Sequence, residues 1–372
     1  MAAMLSFSSR PGPVLISLSR SRPVAGSSFL LLRPNRQLSH GRLQLLSTAN
    51  YHAAELEPPV PCDDPTATGN PDADPTPLFL RPAIHPVPAS ELAAFRRRAS
   101  SVAPHYLHGH LRLLLADAGA DDASDPALLR APLHVVEALW LGHVRGRRPI
   151  QYVVGNERWR DLVVAVREGV LIPRPETAAV VDIVKTRLGE GFAAGWWADI
   201  GTGSGAIAVA VARELGPAGR VFATDISDVA IQVARLNVER YGVQDKVEIR
   251  KGSWFEPLQD VKGKLTGVIS NPPYIPAEDL PNLRGLRPEM VCHEPKLAMD
   301  GGRDGLEHLL HLCEGLSSAL KPGGLFVFET NGNEQSEFLV DFISSKWRSS
   351  FRDVEAVLDF ADIKRFVIGY RT

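Results

Sequence analysis

Two short stretches of the chain carry residue types that can do chemistry. The first is Asn271-Pro272-Pro273-Tyr274, which follows the apolar or small run Gly267-Val268-Ile269-Ser270. Neither proline can donate a backbone hydrogen bond, and each fixes its own φ near about −65°. Asn271, placed before a proline, is pushed into an extended conformation. The result is a stiff ledge at the end of a strand. Its Asn271 side-chain oxygen and Pro272 carbonyl can each accept one hydrogen of a planar –NH2 group, and Tyr274 can stack on that group's flat face. The lone pair of such a nitrogen is delocalised and poorly nucleophilic. Acceptors aimed at its hydrogens orient it and stabilise the positive charge that grows on it as it attacks.

The second stretch is Gly201-Thr202-Gly203-Ser204-Gly205, followed by Asp225. Glycines between a strand and a helix permit a tight turn and let a ligand approach the backbone. The spacing is Gly-x-Gly-x-Gly, not the six-residue dinucleotide fingerprint, and no phosphate-loop lysine follows. An acid ending the next strand can accept both hydroxyls of a ribose. An adenosine-bearing ligand without a pyrophosphate fits this pattern, and S-adenosylmethionine is such a ligand. With that donor, the ledge serves an in-line displacement on a sulfonium carbon, which is mainly a problem of positioning.

Both stretches must be brought together by a sheet. From Trp196 the chain alternates strand and helix, which predicts an α/β domain with a seven-stranded, mainly parallel sheet. Strands are predicted at 197–200, 220–224, 246–250, up to Asn271, at 325–329, and near 354–358 and 366–368. Helices are predicted at 206–215, 229–241, 305–320 and 334–343, the third stopped by Lys321-Pro322-Gly323-Gly324. Upstream, apolar residues at three-to-four spacing predict a small helical domain over 88–147, with Ser90 as its first cap and helices at 107–117 and 127–141. Residues 148–173 are predicted as a β-hairpin linker built from Arg148-to-Gly155 and Leu162-to-Val166, and the catalytic domain as 174–372. Arg174 and Glu176 read as a surface pair at a helix start.

Composition sets further bounds. Of 372 residues, 44% are hydrophobic and 23% charged, as in ordinary globular chains. No apolar run is long enough for a membrane-spanning helix. Cys62, Cys292 and Cys313 match neither a disulfide framework nor a zinc spacing, and are expected as ordinary small residues in a reducing compartment. Neither His105, His108 and His110 nor the pair His308 and His311 completes a ligand set, so no metal is expected. The first 54 residues hold six arginines, ten serines, no lysine and no acid, the composition of an organelle transit peptide, with a chloroplast favoured over a mitochondrion. Residues 55–87, rich in Pro, Asp, Thr and Ala, are expected to be a linker. Without the six arginines the formal charge moves from −2 to −8, which argues against stable nucleic-acid binding.

Taken together, Gly201 to Gly205, Asp225 and Asn271-Pro272-Pro273-Tyr274 resemble the class I (Rossmann-like) methyltransferases that act on planar nitrogen. Within these, the chain is similar to the HemK/PrmC protein-(glutamine-N5) methyltransferases of peptide chain release factors over roughly residues 90 to 370. The distinctive stretches are Pro149-Ile150-Gln151-Tyr152, Leu171-Ile172-Pro173-Arg174-Pro175-Glu176-Thr177 and Glu294-Pro295-Lys296-Leu297-Ala298-Met299-Asp300-Gly301-Gly302. The resemblance implies that Gly201, Thr202, Gly203, Ser204 and Gly205 hold the methionine part of the donor, Asp225 its ribose and Trp254 its adenine. It implies that Asn271, Pro272, Pro273 and Tyr274 hold the target glutamine, in an organellar release factor gripped partly by the helical domain. Two positions depart from the family pattern: Ala178 stands where an acid is usual, and Ser253 where aspartate is frequent. Asn-Pro-Pro-Tyr also occurs in methylases of exocyclic amino groups on DNA and RNA bases, so the ledge specifies the type of nucleophile and not its owner. A catalytically silent, methyltransferase-like binding partner would have decayed in the loop or the ledge, and both are intact.

Overall fold

The computed structural model describes residues 74, 76–120, 124–187, 189, 193–280 and 292–372. The stretch expected to be a transit peptide and most of the expected linker therefore lie outside the described residues. The linker ends earlier than expected. Leu78, in a short 3-10 turn, and Val87, on strand β1 (His85–Val87), are both buried in the core of the helical domain.

That domain contains helices α1 (Ala89–Ser101), α2 (His108–Asp117), α3 (Leu133–Gly146) and α4 (Ile150–Val154), with strand β2 (Ala127–Leu129) antiparallel to β1. Three of these helices start directly after a proline, at Pro88, Pro132 and Pro149. A proline there presets the entry angle and gives up an N–H that the helix does not use. Hence Ser90 sits inside α1 and caps nothing. Residues 127–129 form a strand where a helix was predicted, because Pro132 interrupts the apolar run. Ile150 to Val154, predicted as strand, is a helical turn. Its β-branched residues are outweighed by burial of Ile150, Val153 and Val154 against α2 and α3, and Gly155 at φ 80° ends it. The core repeats the expected spacing, with Leu92, Phe95 and Ala99 on α1 facing Val136, Leu139 and Trp140 on α3. The Trp140 indole donates to the Ala99 carbonyl at 2.9 Å.

Strands β3 (Asn156–Trp159) and β4 (Leu162–Ala165) make the hairpin. Helix α5 (Ala179–Arg187) leads to the main sheet, which contains β5 (Trp196–Ile200), β6 (Arg220–Asp225), β7 (Val247–Lys251), β8 (Leu265–Ser270), β9 (Leu320–Glu329), β10 (Phe351–Leu358) and β11 (Lys364–Arg371). Helices α6 (Ala206–Glu214), α7 (Asp228–Arg240), α8 (Glu307–Ala319) and α9 (Asn333–Lys346) connect them. The strand order is β10-β11-β9-β8-β5-β6-β7, parallel except for β11 against β9 and β10 against β11. The predicted seven-stranded, mainly parallel sheet is therefore present. The helix expected to end before Lys321 to Gly324 does end there, at Ala319, and those residues continue directly as the opening of β9, which starts at Leu320.

The order reverses beside β5: β6 and β7 lie on one side, while β8 and β9 lie on the other. Such a switch point opens a crevice at the carboxyl ends of the strands. Register pairs Ile200 of β5 with Thr224 of β6 and with Ser270 of β8. The residues that follow, Gly201, Asp225 and Asn271, are thus brought to one rim. Tight packing enforces the pairing: a Cβ on Gly267 would sit 2.1 Å from the ring of fully buried Trp197. Gly267→Ala is expected to cost about 3 kcal/mol or more, seen as a fall in the denaturant midpoint at unchanged slope. An unchanged midpoint would show that the ring can move aside.

Cys313 is buried and free, and Cys62 lies outside the described residues.

Candidate active site

A cleft of about 330 Å³ opens at this rim. Gly201, Thr202, Gly203, Ser204, Asp225, Trp254, Asn271 and Pro273 all line it. Gly205, Pro272 and Tyr274, predicted with them, do not.

The glycine loop is built from backbone bonds. The N–H groups of Gly201 and Thr202 both donate to the Thr224 carbonyl at 2.9 Å, tying the loop to β6. Gly201 and Gly203 hold φ of 76° and 55°, a region that favours glycine, and a Cβ on either would meet nothing within 4 Å. Both therefore border open space. Gly205 differs. Its Cβ would come within 3.2 Å of the Ala234 backbone, so it lets α6 and α7 approach each other. Beneath the loop, Asp199 is buried; its Oδ2 accepts from the Thr202 hydroxyl at 2.6 Å and from the Ala208 N–H at 3.1 Å. Its Oδ1 has no partner. Burial, with a smaller push from Asp225, raises the Asp199 carboxyl to about 7.

Asp225 accepts from the Gly203 N–H and the Ser227 N–H, each at 2.9 Å. Burial raises its pKa, opposed by these backbone donors. Trp254, at φ 46°, has its ring flanked by His308 and His311 at centroid distances of 5.1 and 5.8 Å. Among the described residues these histidines join no group of three or more potential metal ligands. They pack on an aromatic ring, and His308 also lines the cleft.

On the opposite wall, the Asn271 side-chain nitrogen donates to the Thr177 hydroxyl at 3.2 Å. Tyr274 is directed elsewhere. Its hydroxyl donates to Glu329 Oε1 at 3.1 Å, and its ring packs on the apolar cluster that includes Phe328 and Leu339. It anchors the ledge from the protein side. The ledge then pairs with the third distinctive stretch: the Ile275 N–H donates to the Met299 carbonyl, and the Gly301 N–H donates to the Ile275 carbonyl. Residues 281–291 of the intervening loop lie outside the described residues.

Several residues at this site were not singled out from sequence. Glu294 is buried, with Oε2 accepting from the Ile172 N–H at 3.1 Å and Oε1 from the Arg174 guanidinium at 2.9 Å. Arg174 is thus no surface partner of Glu176; it fastens 171–177 to 294–302. The cleft-lining Trp159 donates from its indole to the Arg174 carbonyl at 2.7 Å. On α7, Asn237 binds both backbone groups of Ala165 and the Ser204 carbonyl, joining the hairpin to the glycine loop. The one available signal was that Thr177, Arg174 and Glu294 stand inside motifs already marked as distinctive.

The family profile of the methyltransferase small domain matches residues 177–301. The release factor glutamine methyltransferase of Gloeobacter violaceus is 39% identical over 66% of this chain and 82% of its own length. That of Synechocystis sp. is 39% identical over 61% of this chain and 75% of its own length. The chain belongs to the release factor glutamine methyltransferase family. A solved methyltransferase from Pyrococcus furiosus is a looser likeness, with TM-score 0.40 and 18% identity over 57% of this chain and 89% of that one. The HemK/PrmC resemblance is thus borne out at the level of the family, and the chain is a methyltransferase.

In this methyltransferase two buried carboxyls make stability depend on pH. Asp199 and Glu329 are both raised to about 7, chiefly by burial, from ordinary values of 3.8 and 4.5. Between those limits the folded state holds more protons than the unfolded chain. Their contribution is complete below about pH 4 and is lost as pH rises through about 7. Asp199→Asn is expected to flatten the decline in Tm between about pH 4 and 7, read from melts across that range. Parallel curves for variant and wild type would count against it.

Proposed function

We propose that this chain methylates the side-chain amide nitrogen of the glutamine in the Gly-Gly-Gln motif of an organellar peptide chain release factor, with S-adenosylmethionine as donor. The observation that carries this is the seating of Asn271 and Pro273 in the same cleft as the glycine loop, in a chain whose relatives bear the name release factor glutamine methyltransferase. The residues present fit the donor. Gly201 and Gly203 border open space, Asp199 Oδ1 is a buried acceptor without a partner, and Asp225 and Trp254 line the same cleft. When bound there, the donor supplies an electrophilic methyl carbon on a sulfonium.

The Asn271 side-chain oxygen and the Pro272 carbonyl accept the two hydrogens of the glutamine –NH2 and turn its lone pair toward that carbon. As the N–C bond forms and the S–C bond breaks, the same acceptors stabilise the cationic amide, which then gives a proton to solvent. No base is needed beforehand, because the nitrogen becomes acidic only as the bond forms. The arginine- and serine-rich, acid-free composition before Glu55 supports import into an organelle, the chloroplast ahead of the mitochondrion.

Incubation with S-adenosylmethionine and a chloroplast release factor, followed by mass spectrometry of the Gly-Gly-Gln peptide, is expected to show one added methyl on the glutamine. An unmodified glutamine beside methylated DNA or RNA would transfer the assignment to an exocyclic base amine. Location is read separately, from the destination of a fluorescent fusion of the full chain.

A further inference from the structure

Pro149-Ile150-Gln151-Tyr152, one of the three distinctive stretches, contributes no residue to the lining of the cleft. Tyr152 on α4 is nevertheless buried, in the core cluster that contains Ile172. Its hydroxyl donates to the Val170 carbonyl at 2.6 Å. Burial, with a smaller push from Glu294, raises the phenol above its ordinary value of 10.0, so the hydroxyl keeps the proton that it donates.

The Val170 carbonyl belongs to the peptide unit before Leu171. The unit after Leu171 carries the Ile172 N–H, which donates to Glu294 Oε2 at 3.1 Å. Glu294 is itself buried, and the Arg174 guanidinium holds its other oxygen at 2.9 Å. Both peptide planes that flank the Leu171 Cα are therefore pinned. Peptide units are planar, so the backbone freedom of a residue is confined to rotation of these two planes. With both fixed, φ and ψ of Leu171 are set, and they restrict the rotamers its side chain can adopt. The neighbours are seated as well. Val170 packs with Ala230 and Val233 of α7, and Ile172 lies in the cluster of Tyr152. Leu171, between two buried residues, lines the cleft.

The ends of this run place Leu171 along the cleft. Gly169 lies against the start of α7, just past Asp225 in the chain, where a Cβ would come within 3.3 Å of Val229. At the other end Thr177 accepts the Asn271 side-chain N–H. Leu171 and Pro173 line the cleft along the run that joins the donor acid to the ledge. We infer that Tyr152 is a positioning residue which, with Glu294, aims Leu171 as the apolar wall of the gap between methyl donor and target amide. A displaced wall changes how the nitrogen meets the methyl carbon, and rates depend steeply on that geometry.

The inference rests on the proposed glutamine substrate, so two readouts are used. Tyr152→Phe keeps the buried ring and removes only the hydroxyl. With release factor as substrate, it is expected to lower kcat by about 5- to 10-fold, and Leu171→Ala by about 10- to 30-fold. In the Leu171→Ala background, Tyr152→Phe is expected to cost less than about twofold more, because the side chain it aims is gone. Full turnover in Tyr152→Phe, or effects that multiply in the double variant, overturns the inference and leaves the substrate assignment standing. A wild-type enzyme that leaves glutamine unmodified overturns the assignment only. The inference is then decided by hydrogen exchange of the enzyme without substrate. In Tyr152→Phe the Ile172 N–H is expected to exchange about fivefold faster, while amides of β9 keep their wild-type rates. Unchanged exchange at Ile172, or an equal acceleration in β9, overturns it.

Discussion

Asn271→Ala is expected to lower kcat by about 10²- to 10³-fold and to leave the dissociation constant for S-adenosylmethionine within about threefold. In the proposed function the amide is one of two acceptors on the ledge, and its contribution grows with the charge on the attacked nitrogen, so its loss would fall on the transition state. The donor keeps the glycine loop, Asp225 and Trp254, all of which line the cleft independently of Asn271. Single-turnover rates with release factor, set beside calorimetric donor binding, separate the two quantities. Retained turnover would show that Asn271 does not orient the nucleophile.

Asp225→Ala has the opposite signature. Its carboxylate can accept both ribose hydroxyls, and charge-assisted bonds of this kind are worth about 1.5–3 kcal/mol each. It also accepts from the N–H groups of Gly203 and Ser227, so its removal strips a partner from the loop itself. The donor Kd is expected to rise by about 10²-fold or more, while kcat at saturating donor stays within about fivefold. A Kd within threefold of wild type would remove Asp225 from the donor site.

How much of this was legible depended on the range of each signal. Strand positions in the sheet followed from apolar runs ending at turn residues, and Gly201 to Gly205, Asp225 and Asn271 were each recognisable from neighbours within about ten residues. Errors fell where short-range signals competed. Ile150 to Val154 are β-branched or aromatic-rich and read as strand, but a proline before them, Gly155 after them and burial against two helices made a helical turn. Lys321 to Gly324 follow a helix that does stop, at Ala319, but they also open the next strand, which was expected only from Leu325. Tyr274, read as a platform for substrate, is held by Glu329, and nothing in its local sequence indicates that.

Thr177 meets Asn271 across 94 positions and Arg174 meets Glu294 across 120. Periodicity reports which face of an element is buried, but it carries no information about which distant polar atom will satisfy a buried donor. The sequence by itself determined the residues on which the proposed chemistry rests: the ledge Asn271 to Tyr274, the glycine loop Gly201 to Gly205, and the strand ends that carry both. The tertiary structure alone decided that these ends are neighbours, through the pairing of Ile200 with Thr224 and Ser270. It alone also placed the Thr177 hydroxyl against the Asn271 amide and the Arg174 guanidinium against Glu294, because a hydrogen bond's direction is set by partners that only folding brings within 3 Å or so.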